Sequence, residues 1–133
     1  MTTKNKAGYV DGFVFVVPKK NVLAYKNMAK EGKEAWMKFG ALSYYECMGE
    51  DLKVKKQPGM PMGLSFTKLT GAKGAETVWF SFITFKNKKH RDSVNKKVMD
   101  YMGKKYANID PKKFVMPFDV GRMAYGGFTT EVA

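Results

Sequence analysis

Two segments of this chain are apolar on alternate residues and also on the residues between them. In Tyr9 to Val17 (YVDGFVFVV), Phe13, Phe15 and Val17 fall on one side of an extended backbone, and Val10, Val14 and Val16 fall on the other. Glu76 to Phe85 (ETVWFSFITF) repeats the pattern, with Val78, Phe80 and Phe82 opposite Trp79, Ser81, Ile83 and Phe85. A strand with one solvated face would alternate with polar residues instead. Both strands therefore need cover on both faces, and that requirement restricts the fold more than any other feature.

Cover for one face is encoded in the intervening segments. Tyr25, Met28, Ala29, Gly32, Ala35, Trp36 and Phe39 recur at three- and four-residue steps, which predicts a helix capped by Asn21 and stopped by Gly40. A second helix is predicted from about Lys88 to Met102, with Val94, Val98, Tyr101 and Met102 as its apolar stripe. Leu42 to Met48 reads as a strand with Tyr44 and Glu46 on one face, and Met123 to Val132 as the last strand. Gly126 and Gly127 predict a bulge or a close backbone approach there. Asp110-Pro111 can start a short turn of helix, and Met116 to Asp119 is extended or a turn. Gly49 to Gly74 is a long connection suited to a functional loop, with a short extended piece expected at Leu64 to Thr67. Residues 1–8 are expected to be flexible.

The order β-α-β-loop-β-α-β predicts a single α+β domain spanning residues 1–133, of ferredoxin-like βαββαβ plan. Its four-stranded antiparallel sheet would carry two helices on one face, with the first strand between the third and the fourth. The other face still needs cover, and a second copy of the chain supplies it through a two-fold interface.

Composition excludes several classes. A chain of 133 residues that is 44% hydrophobic can bury a core unaided and is not disordered. The single cysteine, Cys47, makes no internal disulfide, fits a reducing compartment, and reads as a buried strand thiol. No apolar run approaches the ~18 residues of a membrane span, and Met1 to Ala7 lacks an apolar signal region. A cytoplasmic protein without a membrane partner is expected. One histidine and one cysteine form no metal-ligand cluster, and no phosphate loop or dinucleotide fingerprint is present, so no metal or cofactor is expected.

Net charge is +12, from 24 basic and 12 acidic residues, and only Arg91 and Arg122 are arginine. Lysines in such number make a solubilising coat; the sharper alternative is an RNA or polyanion partner. RNA-recognition modules share this element order and expose aromatics on their central strands. The third strand here lacks their Lys/Arg-Gly-Phe-Gly/Ala-Phe pattern.

Asp11 and Glu46 are acidic residues inside apolar strands, where burial raises a carboxyl pKa and can make a general acid or base. In the predicted sheet Asp11 neighbours Arg122, so these two are expected to pair, and a structural ion pair is the plainer outcome. Tyr45, Trp79, Ser81 and Tyr125 offer aromatic walls and hydroxyls for a small-molecule pocket, or interface packing. His90 reads first as a solvated helix-start residue, Arg91 and Asp92 first as salt-bridge formers, and all three are secondary candidates for the pocket rim.

Several blocks together resemble a known family. Tyr9-Val-Asp-Gly-Phe, Gly40-Ala-Leu with Glu46-Cys, Val78-Trp-Phe-Ser-Phe, the run from His90 to Met99, and Met116-Pro-Phe-Asp with Arg122-Met-Ala-Tyr-Gly-Gly-Phe are similar to the YbaA-like bacterial proteins. That is a domain-of-unknown-function family of the dimeric α/β-barrel superfamily. Met48 departs from the family's usual tryptophan, and Met99 to Phe114 is longer and richer in lysine than its counterparts. The resemblance implies a ferredoxin-like subunit paired as a dimeric α/β barrel, with no particular activity. The functional expectation is a homodimer binding a small apolar or aromatic molecule. The alternatives are the RNA or polyanion binder and, by superfamily analogy, a cofactor-independent monooxygenase-like enzyme.

Overall fold

The computed structural model describes residues 6–133. Its elements are β1 (Tyr9–Pro18), α1 (Val22–Lys38), β2 (Ser43–Met48), α2 (Phe66–Thr70), β3 (Glu76–Phe85), α3 (Lys88–Lys105) and β4 (Ala124–Thr129). Short 3-10 turns occupy Lys19–Asn21, Pro111–Lys113 and Val120–Arg122. The fold is α+β. Its four strands lie in the order β2-β3-β1-β4, and each neighbouring pair is antiparallel.

β1 and β3 pair over their whole lengths, from Tyr9 opposite Phe85 to Pro18 opposite Glu76. The two-residue period then fixes the faces. Phe15, Val17, Trp79, Ile83 and Phe85 lie on the side covered by α1 and α3 and are almost wholly buried. α1 ends as its glycine predicts: Gly40 adopts φ +109°, its amide bonds to the Met37 carbonyl, and the Ala41 amide bonds to that of Trp36. α3 begins on Asn87, whose side chain accepts from the His90 amide at 2.8 Å.

Core packing on this face divides in two. One cluster joins Phe85, Ile83 and Tyr9 to Val94 and Val98 of α3 and Ala35 of α1. The other joins Phe15, Trp79 and Val17 to Tyr25 and Ala29 of α1 and to Phe118. Phe13, only partly buried, packs against both.

The opposite face is covered in part. Leu52, Phe66 of α2 and Gly49 close around Val78 and one side of Phe80. Val16 and Val78 are thereby buried. Beyond this cover Tyr45, Phe80, Phe82 and Phe128 lie on a face that the single chain leaves open, and the Tyr45 and Phe82 rings stack at 5.1 Å.

Several local expectations change. Of the piece expected to be extended at Leu64 to Thr67, Ser65 is extended but Phe66 and Thr67 are helical, because the Ser65 side chain accepts from the Lys68 amide and caps α2, adding a third helix. Asn21 precedes α1 but its side-chain amide donates to the Pro117 carbonyl at 3.0 Å instead of capping. Gly126 and Gly127 pair in regular register with Gly12 and Asp11, so there is no bulge. The close approach is to a side chain: a Cβ on Gly127 would meet the Tyr9 ring and hydroxyl. Cys47 is exposed on the open face. Of residues 1–8, expected to be flexible, Met1 to Asn5 lie outside the described residues, and Gly8 is held by backbone bonds to Phe85 and Thr130.

Gly127→Ala should therefore cost ~1–3 kcal/mol in a denaturant titration, because the methyl group overpacks a buried ring. Gly74→Ala, whose Cβ would meet nothing within 4 Å, should change stability by less than about 0.5 kcal/mol.

Candidate functional site

Between the two core clusters the sheet and helices part, leaving an open cleft of about 1130 Å³. The sheet makes its floor, α1 and α3 its walls, and the segment from Tyr106 to Pro117 its outer lip. Register sets the floor. One row across the strands runs Glu46, Ser81, Phe13, Tyr125; the next runs Tyr44, Ile83, Asp11, Gly127.

Two polar groupings stand in this otherwise apolar space. In the first, Tyr25 donates to Glu46 Oε1 at 2.8 Å and Tyr44 donates to Oε2 at 2.7 Å. Tyr44 reaches its acceptor beneath Gly32, where a Cβ would lie 2.9 Å from the phenol oxygen. Burial, reinforced by the neighbouring carboxylate, pushes both phenols well above the usual tyrosine pKa. They therefore act as fixed donors.

In the second grouping, Arg91 Nη1 bonds to Asp11 Oδ1 at 2.8 Å and its Nε bonds to Asp92 Oδ1 at 2.8 Å. The guanidinium also lies 4.9 Å from the centre of the Tyr9 ring. Burial raises the Asp11 pKa, while Arg91 and Asn95 oppose the shift. One helical turn beyond Arg91, Asn95 accepts from Trp36 Nε1 at 3.0 Å, tying α3 to α1 across the cleft. This arrangement can seat a flat apolar body on Phe13 and Tyr125 while presenting a carboxylate, a hydroxyl and an ion pair to its polar atoms.

The structure brings Asp11, Glu46, Ser81, Tyr125 and Arg91 together around the cleft. Glu46 is half-buried rather than fully buried. Tyr45 borders the cleft, but its ring lies on the open face against Phe82. Trp79 belongs to the core, where its indole donates to Thr77. His90 sits at the start of α3, accepting from the Lys86 amide at 3.0 Å, and the exposed Asp92 supports Arg91 from outside.

Arg122 does not pair with Asp11. Its guanidinium forks onto Glu76 and reaches the Gly71 carbonyl beyond α2, while the arginine on Asp11 is Arg91. Neighbouring strands bring residues of like register together; Arg122 lies before β4 begins, beside the far end of the ladder, where Glu76 stands. Tyr25, Tyr44, Trp36 and Asn95, which are not among the residues expected at the site, also line the cleft. Tyr44 shares a face with Glu46, and Asn95 follows Arg91 by one turn, so both signals were present. Tyr25 and Trp36 carry in the sequence only the signal of a packing stripe.

The Protein of unknown function (DUF1428) family model matches residues 8–120, and the chain belongs to that family. "Uncharacterized protein YbaA" of Escherichia coli strain K12 is 38% identical over 124 residues, covering 90% of this chain and 93% of that protein. The protein of the same name from Shigella flexneri matches to the same extent. Among solved structures, a Bacillus cereus protein related to NIF3 overlaps 96% of this chain, at 15% identity and a TM-score of 0.31. The chain spans 27% of that protein's length, and at that score the likeness carries no argument. Among the described residues, no helix is long and apolar enough to cross a membrane.

The Glu76–Arg122 pair makes a pH prediction. Hydrogen bonding from Arg122, then from the Lys73 amide, lowers the Glu76 pKa from 4.5 to about 2. A depressed carboxyl pKa stabilises the folded state above the unfolded-state value, and that stability is lost as pH falls through the folded-state value. Glu76→Gln should therefore flatten the pH dependence of stability between about 4.5 and 2, as read by urea midpoints.

Proposed function

We propose that this chain is a subunit of a homodimeric small-molecule-binding protein, whose ligand is a small apolar or aromatic molecule seated between the sheet and the helices. The cleft carries the reading: it is large, mostly apolar, and furnished with a few converging polar groups. The strand order β2-β3-β1-β4 with α1 and α3 on one face supports a ferredoxin-like subunit. The apolar side chains on the other face, with Phe128 63% exposed, support pairing of two sheets into a dimeric barrel. In that assembly the two faces separate their tasks, one for association and one for the ligand.

Titration with the neutral dye Nile red should show saturable binding with one site per chain. Tyr125 is 73% exposed and stacks on Phe13 at 6.1 Å, so Tyr125→Ser should weaken the dye about 2- to 10-fold without lowering the melting temperature. Unsaturable partitioning, or affinity indifferent to Tyr125→Ser, would remove the cleft as the site. Light scattering should return twice the 15.0 kDa chain mass, falling to 15.0 kDa in Phe80→Lys/Phe128→Lys.

A further inference from the structure

Among the described residues Glu46 has no countercharge. The other carboxylates at the cleft have one: Asp11 faces Arg91, and Glu31 lies 2.8 Å from Lys105 Nζ. Glu46 has only the two neutral phenols, and no cation pairs with it among the described residues. Beside it on the floor stands Ser81, 6% exposed, whose hydroxyl can donate and accept. A half-buried carboxylate facing apolar space is costly when no countercharge pairs with it. Glu46 and Ser81 sit at one end of the row that continues through Phe13 and Tyr125, whose stacked rings lie within 17° of parallel.

The distribution of charge points the same way. Although the chain carries +12 overall, the charged residues that line the cleft among the described residues are Asp11, Glu31, Glu46 and Arg91, with no lysine. Arg91 is already neutralised by Asp11 and Asp92.

We propose that the cleft takes a small aromatic molecule bearing a protonated amine, with the ammonium on Glu46 and Ser81 and the ring on Phe13 and Tyr125. This rests on the cleft being the ligand site. An ammonium supplies the missing positive charge and has donors for both acceptors at once, whereas an alcohol supplies one donor and no charge. Glu46 and Phe13 stand two strands apart, about 10 Å, a span that the amine, a two- or three-atom linker and the ring cover. Met28, Met99, Met102, Met116 and Met123 give the ring adaptable walls that do not demand one ring shape.

Calorimetry on the full chain at neutral pH with 2-phenylethylamine, 2-phenylethanol and phenylacetate tests this. The amine should bind about tenfold tighter than the alcohol, and phenylacetate weakest. Glu46→Gln should weaken the amine about tenfold and leave the alcohol within about twofold. Ser81→Ala, which leaves the tyrosine–carboxylate grouping intact, should weaken the amine several-fold and serves if Glu46→Gln does not fold. Equal affinities for amine and alcohol, or an amine preference that survives the substitutions, would overturn the charge assignment while leaving the cleft as a binding site. Absence of binding by all three, together with absence of saturable Nile red binding, would overturn both.

Discussion

The ten-residue antiparallel ladder between β1 and β3 is the constraint on which the rest of the molecule depends. Its period of two decides at once which side chains meet the helices and which meet the opposite face. A slip of one residue would send Asp11, Phe13 and Phe15 to the wrong side and bring Val14 and Val16 under the helices. Both sets are apolar, so hydrophobic burial alone discriminates weakly between registers. The polar links discriminate better: Asp11 must meet Arg91 of α3, and the Thr77 hydroxyl donates to the Val17 carbonyl at 2.7 Å. The outer strands β2 and β4 are six residues each and attach to this ladder as edges.

The cleft follows from how the helices meet the ladder. The two buried clusters lie toward its ends, around Phe85 and around Trp79, with Phe13 packed against both, and polar bonds cross the space between them. Small residues keep that middle open: Gly32 on α1, and Gly126 and Gly127 on β4. Burying polar groups here costs free energy unless each is satisfied. The tyrosines satisfy Glu46 as a hydrogen-bond acceptor but not as a charge. A site whose polar groups are incompletely paired by the protein itself is suited to completion by a ligand.

Much of the architecture was legible because strand periodicity is a strong signal. Glu76–Phe85 forms a strand with the faces its alternation predicts, and the buried residues of α1 are members of its predicted stripe. Less was legible where a side chain rather than a pattern decides. Ser65 turns an apparently extended piece into a helix, and Asn21 leaves its capping role for the Pro117 carbonyl. The site was legible residue by residue but not in its pairings. Asp11 and Arg91 are 80 positions apart, and only the docking angle of α3 makes them neighbours. Strand adjacency alone suggested Arg122, which the packing instead commits to Glu76.

The most direct test of the account is amide chemical-shift mapping of the isotope-labelled chain titrated with 2-phenylethanol. A ligand in the cleft predicts saturable shifts clustered at Ser81, Asn95 and Gly126, with Phe80, Phe82 and Phe128 little changed. Shifts concentrated on Phe80, Phe82 and Phe128, or no saturable shift at Ser81 and Asn95, would contradict it.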